Sequence, residues 1–199
     1  MKKLVIKTVA ITVAAIIVLM AAIYLVFALA FPKTLADCWK DMGNYSLAAK
    51  YYEKQYDKSE DLDDLAELCI YLDAKTDGAR AAGYLKLLTE NENFNARCEK
   101  EDKEGGFKYT AYEYYYGKYA VAEYYANKID AAITVARKAV SKGYTANNAF
   151  YVLLIDADTL TKSDGEKISA EITVIKNGLT DDAQKEYAER DIGFANSVK

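Results

Sequence analysis

The segment LADCWKDMGNYSLAAKYYEKQY, Leu35–Tyr56, decides the fold. It divides at Gly43–Asn44, and apolar residues recur at three- and four-residue spacing on both sides, as on amphipathic helices. Leu35, Ala36 and Trp39 stand before the break, and Tyr45, Ala48 and Tyr52 after it. The spacing has a packing reason. The small residues let the second helix approach the first, the glycine ends the first helix, and the aromatic side chains fill the wedge between the two. The segment therefore predicts a helical hairpin.

Outward from this hairpin the chain keeps the same character. Only 1 proline, Pro32, and 10 glycines occur in 199 residues, too few turn formers for a β-sandwich of this size. Apolar residues make up 52% and charged residues 28%, a globular composition. From Pro32 onward short helical stretches alternate with breakers at GN (43), KSE (58), KTDG (75), EGG (104), NK (127), KG (142), KSDG (162) and NG (177). No convincing alternating strand stands among them. Ser59 followed by Glu60, Asp61, Asp63 and Asp64 reads as a helix start, with acids set against the positive end of the dipole, and Thr180–Asp182 repeats the signature.

The spacing in the opening segment, large–small–x–x–aromatic and then G-x-Y-x-x-A-x-x-x-Y, resembles the tetratricopeptide (TPR) repeat. It recurs less cleanly. Leu68, Cys69, Leu72, Ala81 and Leu85 form a second instance, Ile129, Ala132, Ala136 and Ala139 a third second-helix, and Gly165, Ala170 and Val174 a fourth. The anchoring alanines, Ala48, Ala81, Ala132 and Ala170, are 33, 51 and 38 residues apart, where a regular array holds ~34. The long interval predicts an extra helix or loop around Thr89–Gly106. The prolines that usually close such repeats are missing. The resemblance implies an all-α fold, an irregular TPR-like helical-hairpin solenoid over 32–199, closed by a capping helix in TDDAQKEYAERDIGFANSV. It also implies a groove that binds proteins or extended peptides.

Ahead of this region, Thr8–Phe31 holds 24 residues without a charge. At ~1.5 Å per residue such a helix spans the ~30 Å core of a bilayer. Residues 1–31 thus read as a lysine-bearing tip and a transmembrane anchor. Lys2, Lys3 and Lys7 precede the span, whereas Lys33 and Lys40 behind it are diluted by Asp37 and Asp41. The positive-inside rule then places the N-terminal side in the cytoplasm and the helical domain outside it. The alternative is a secreted product, cleaved near Ala30 at the small-x-small sequence ALA. Cys38, Cys69 and Cys98 are odd in number and widely spaced, which fits neither a zinc site nor a disulfide framework.

Catalytic chemistry is not legible, and no enzyme is expected. Histidine is absent, which removes His-dependent triads, the commonest metal ligand and the usual pH switch. No phosphate-binding glycine motif occurs. The paired acids Asp63/Asp64 and Asp156/Asp158 read as solvated helix faces, and a calcium loop at Asp57–Leu68 fails at Leu62 and Leu68, where glycine and a bidentate acid belong. The net charge of −4 argues against nucleic acid as a partner. No cofactor and no metal are expected.

One aromatic concentration remains. YTAYEYYYGKYAVAEYY, Tyr109–Tyr125, places 8 of the 18 tyrosines in 17 residues. At 100° per residue Tyr109, Tyr112, Tyr115, Tyr116 and Tyr119 share a stripe of ~120°, the width of a core-facing surface. Tyr114, Val121 and Tyr125 lie opposite. Such a helix belongs in the middle of a stack, unless Gly117 breaks it into a hairpin. The expected function is a membrane-anchored scaffold that binds a membrane-associated protein or peptide, with Tyr51, Tyr114 and Tyr125 as candidate partner-binding residues. The alternative is an extracytoplasmic module that stacks surface tyrosines on cell-wall glycan.

Overall fold

The computed structural model describes residues 2–106 and 109–199, and those residues are all-α, with no strand among them. Two compact units divide at Leu72/Asp73. The division falls inside the 68–85 stretch that reads as a second repeat.

The first unit contains α1 (Lys2–Ala30), α2 (Pro32–Asp41), α3 (Tyr45–Ser59) and α4 (Leu62–Tyr71). The hairpin expected at Leu35–Tyr56 is formed by α2 and α3. Pro32 opens α2, where its missing N–H costs nothing. Gly43 ends the turn at φ +75°, in the left-handed region. The Asn44 side chain caps α3 by accepting from the Leu47 N–H at 3.2 Å. Ala36, Ala48 and Tyr52 are fully buried at the crossing. The Tyr52 ring stacks on Tyr71 of α4 at 5.3 Å, and its hydroxyl donates to Asp37 Oδ1 at 2.6 Å.

The start of α4 lies two residues beyond the expected Ser59. Glu60 turns left-handed at φ +50° and ends α3, so Asp61 becomes the cap and accepts from Asp63 N–H at 2.8 Å. Ser59 instead donates to Asp64 Oδ2 at 2.7 Å, and Gln55 Nε2 donates to the same oxygen at 2.9 Å.

The second unit holds α5 (Gly78–Glu90), α6 (Phe94–Glu104), α7 (Ala111–Tyr125), α8 (Ile129–Val140), α9 (Ala149–Asp156), α10 (Lys162–Gly178) and α11 (Asp182–Ser197). Its centre is α7, packed against α5, α6, α8 and α9. The tyrosine-rich helix is therefore enclosed on more than one side, as its two apolar faces require. Tyr115 and Tyr116 are buried with Tyr119, and Phe94 of α6 lies within 6.0 Å of the Tyr112, Tyr115 and Tyr116 rings. Tyr109 precedes the helix, because Thr110 caps it through the Glu113 N–H.

Gly117 does not break α7. A Cβ at that position would stand 3.2 Å from three side-chain atoms of Val152, so the glycine lets α9 lie close. The KSDG and NG sequences likewise fall inside α10 rather than between helices. Thr161 and Asp164 form a capping box there, which turns KSDG into a first turn.

Helix α7 packs on α8 and α10 on α11, the expected final helix, and α6 is the extra element in the long interval, whereas Ala170 and Val174, expected to pack as in a fourth repeat, are exposed. The packing is irregular. Inserting α6 between α5 and α7 breaks the two-helix period that a regular array needs.

A buried carboxylate fastens α11. Asp191 is 0% exposed and accepts from Tyr144 Oη (2.8 Å), Asn148 Nδ2 (2.9 Å), Arg190 Nε (2.8 Å) and an Arg190 terminal nitrogen (2.7 Å). Asn148 also caps α9 through the Phe150 and Tyr151 N–H groups, so one cluster joins the start of α9 to α11.

Candidate partner-binding surface

The C-terminal end of α7 carries two adjacent tyrosines that the core does not absorb. Tyr124 and Tyr125 are half-buried and meet edge to face at 5.5 Å. The Tyr125 hydroxyl lies 2.9 Å from the Asp156 carbonyl oxygen and 2.9 Å from Asp158 Oδ1. Lys75 completes the arrangement, with Nζ 3.2 Å from Asp158 Oδ2 and 5.8 Å from the Tyr125 ring centre. The Tyr125 hydrogen bond, and then Lys75, hold the Asp158 carboxyl below its ordinary range. Burial, and next the Asp158 bond, push the Tyr125 phenol up. The loop after α9 is thus tied to α7 and to the segment before α5.

Beside this tie runs an open groove of about 420 Å³, lined by Tyr124, Tyr125, Asn127, Ile129, Thr159 and Thr161, with Asp164 at its end. Asn127 turns the chain from α7 into α8 at φ +59°, a conformation that asparagine tolerates well. The Tyr124 hydroxyl faces Thr159 Oγ1 at 3.4 Å. The groove is amphipathic: two aromatic rings and Ile129 line it together with hydroxyls and an amide. Farther along the same two helices, α8 and α10 enclose a shallower trough of about 450 Å³. Across it Arg137 donates from Nε and Nη2 to the two Glu171 carboxylate oxygens, at 2.5 and 2.7 Å, and Lys167 pairs with Asp130 at 3.3 Å. Val174 projects from it at 70% exposure.

The three sequence-predicted residues are dispersed. Tyr125 lines the groove. Tyr114 lies three turns earlier on α7, half-buried, edge-on to Tyr115 at 5.3 Å with Lys118 Nζ 5.7 Å from its ring centre. Tyr51 belongs to the first unit and is buried. Its hydroxyl bonds that of Tyr24 on α1, and Lys54 Nζ stands 5.0 Å over its ring. A partner reaching that position meets the lysine rather than the aromatic face. Lys75, Thr159 and Thr161 carried no signal in the sequence, because residues 75, 125 and 158 meet only through the helix packing. Asp158 stood out there only as half of an acid pair.

Another cavity of the second unit holds a cysteine and a lysine. About 260 Å³ opens among Asn95, Cys98, Asp102, Tyr112 and Lys142. Burial, and next the nearby Glu101 and Asp102, push the Cys98 thiol up to about 12, so it stays protonated at neutral pH. Lys142 is occupied by the Tyr112 ring at 3.8 Å and by Asn95 Oδ1 at 2.8 Å. Among the described residues no group of three or more His, Cys, Asp or Glu is placed to hold a metal ion. Comparison with known protein families, with curated proteins and with solved structures finds no match to the chain.

Proposed function

We propose that the protein is a membrane-anchored, TPR-like interaction scaffold that binds a peptide segment of a membrane-associated protein in the groove between the end of α7 and the start of α10. The anchor is Ile6–Ala30, 25 residues whose most apolar window has a mean hydropathy of 2.9 and is only 6% buried. Leu19, Leu25 and Ile17 are each about 60% exposed, so the helix presents apolar side chains that water does not accommodate. A secretory leader has a shorter apolar run, which favours retention over cleavage near Ala30. Lysines 2, 3 and 7 favour a cytoplasmic N-terminal side and an extracytoplasmic helical region.

The observation that carries the binding assignment is the groove's preorganisation. Lys75, Asp158 and Tyr125 hold one wall in place before any partner arrives, which reduces the ordering cost of binding. Tyr124 and Ile129 then offer rigid apolar area beside hydroxyls that suit an extended backbone.

A photo-crosslinking residue at Thr159, introduced in membranes with α1 retained, tests this assignment. The expected result is one discrete protein adduct that Tyr124→Ala abolishes. An adduct pattern indifferent to Tyr124→Ala removes the groove from the reading. Capture of cell-wall glycan in place of protein supports the glycan-binding alternative instead.

A further inference from the structure

The first unit contains a basic surface that partner binding does not use. Side chains of α3 reach the last turns of α1: the Tyr51 hydroxyl bonds that of Tyr24, and Lys58 Nζ donates to the Leu29 carbonyl oxygen. Leu29 is among the final residues of α1, whose carbonyls have no partner within the helix, so a lysine is well suited to that end of the dipole. Lys50, Lys54 and Lys58 are spaced by four, and with Leu47 and Tyr51 they occupy an arc of ~100° on α3. The two acids of α3, Glu53 and Asp57, fall outside this arc, on the flank beyond Lys50. Ala48, Ala49 and Tyr52 face the core. Lys33 pairs instead with Asp64, at 3.8 Å.

The depth of this surface follows from lengths. The 25 residues of Ile6–Ala30 extend ~37 Å as a helix, against a hydrocarbon core of ~30 Å. About five residues therefore exceed the core. Tyr24 and Phe27 mark the C-terminal end, and tyrosine favours the headgroup level. The surplus is then the stretch from about Val26 to Ala30, which includes Leu29, the residue that Lys58 of α3 reaches.

We propose that α3 lies in the headgroup layer and that Lys50, Lys54 and Lys58 bind the phosphates of anionic phospholipids. The proposal rests on the reading of α1 as a retained span. The lysines lie 20 or more residues past Ala30, at or beyond the ~15–20 residues over which charge sets orientation, so they leave the assigned topology unchanged. Each lysine near an anionic surface contributes roughly fivefold to the partition, so loss of two lowers it by about 25-fold.

The test uses the full chain in phosphatidylcholine vesicles, with and without phosphatidylglycerol. In a Cys38→Ser background, an environment-sensitive fluorophore is placed at Leu47→Cys, and a nitroxide on the lipid headgroup serves as quencher. Quenching is expected in the anionic vesicles. It is expected to fall with K50Q/K54Q, and in the unaltered lysine background when salt rises from about 0.1 M to about 1 M, which shortens screening from ~10 Å to ~3 Å. Quenching indifferent to lipid charge and to salt means that contacts with α1 alone set the depth of α3, and overturns the proposal. Absence of quenching overturns it equally. A second fluorophore at Ile17→Cys, with nitroxide on the acyl chain, separates the two readings. If Ile17 is quenched and Leu47 is not, the anchor stands and the lipid contact falls. If Ile17 is not quenched, both fall.

Discussion

A core built on tyrosine makes the fold sensitive to alkali, and the size of the effect follows from two residues. Tyr115 and Tyr144 are 0% and 1% exposed. Burial is the largest cause raising both phenols, and the negative charge of Asp191 adds to it at Tyr144. In the unfolded chain the same groups ionise near pH ~10. Their folded values are raised, so the stability they contribute is complete below ~10 and is lost as the pH climbs above it, where the unfolded state binds fewer protons. Each costs about 1.4 kcal/mol per pH unit in that window, so the pair costs about 3 kcal/mol at pH ~11, against a typical total of ~5–15 kcal/mol. Tyr112 and Tyr119 act in the same direction, and Cys98, held up to about 12, begins to act earlier, above its unfolded range. The assay is urea unfolding in detergent, followed by far-ultraviolet circular dichroism at stepped pH from about 8 to about 11. Tyr115→Phe and Tyr144→Phe are each expected to flatten the decline by ~1.4 kcal/mol per pH unit. At neutral pH, Tyr144→Phe costs ~1–2 kcal/mol through its bond to Asp191. A stopped-flow pH jump read at the tyrosinate absorbance should show a fast phase from accessible rings and a slow one limited by unfolding. A single fast phase, or parallel slopes for wild type and both variants, refutes the reasoning.

Asp191→Ala should destabilise the second unit by about 3 kcal/mol, the low end for breaking a buried ion pair, because the Arg190 side chain is 31% exposed and turns to water. Thermal melting, together with faster hydrogen exchange in α11, checks this, and an unchanged melt contradicts it. Gly165→Ala should destabilise by ~1–3 kcal/mol despite a better helix propensity, since its Cβ meets the Ala195 carbonyl oxygen and stands 2.9 Å from Val198 Cβ. Gly193→Ala, with open space around it, should instead gain up to ~1 kcal/mol in the same melts. An impermeant maleimide should label Cys38 in the folded protein and reach Cys69 and Cys98 only on unfolding. On intact cells, protection of Cys38 overturns the extracytoplasmic placement.

The hairpin at Leu35–Tyr56 was legible because its signals are local: a glycine with positive φ, an asparagine cap, and alanines where two backbones cross. Gly117 and Gly165 are the counterexample. Sequence spacing reads glycine as punctuation, yet both lie inside continuous helices, where a neighbouring helix comes close: Val152 would crowd a Cβ at Gly117, and the Ala195 carbonyl leaves no room for one at Gly165. That reason is tertiary and leaves no mark within a window of ten residues. The division at Leu72/Asp73 falls where the apolar pattern stops, just ahead of the KTDG breaker, but a local break does not say which helices pack together on either side of it.

The site follows the same logic. Angular spacing correctly consigns Tyr115, Tyr116 and Tyr119 to the core, because burial on a helix depends on period. It does not separate Tyr114 from Tyr125, which fall within ~20° of each other on the helical wheel. What distinguishes them is position along the axis. Tyr125 stands at the end of α7, where α5 begins opposite it and the loop after α9 closes over it, so its hydroxyl finds Asp158 and its flank becomes a groove wall. Tyr114 lies near the start, beside Tyr115 and Lys118 of its own helix. The groove opens where helices end, because there the side chains of one element meet loops rather than the continuous face of another.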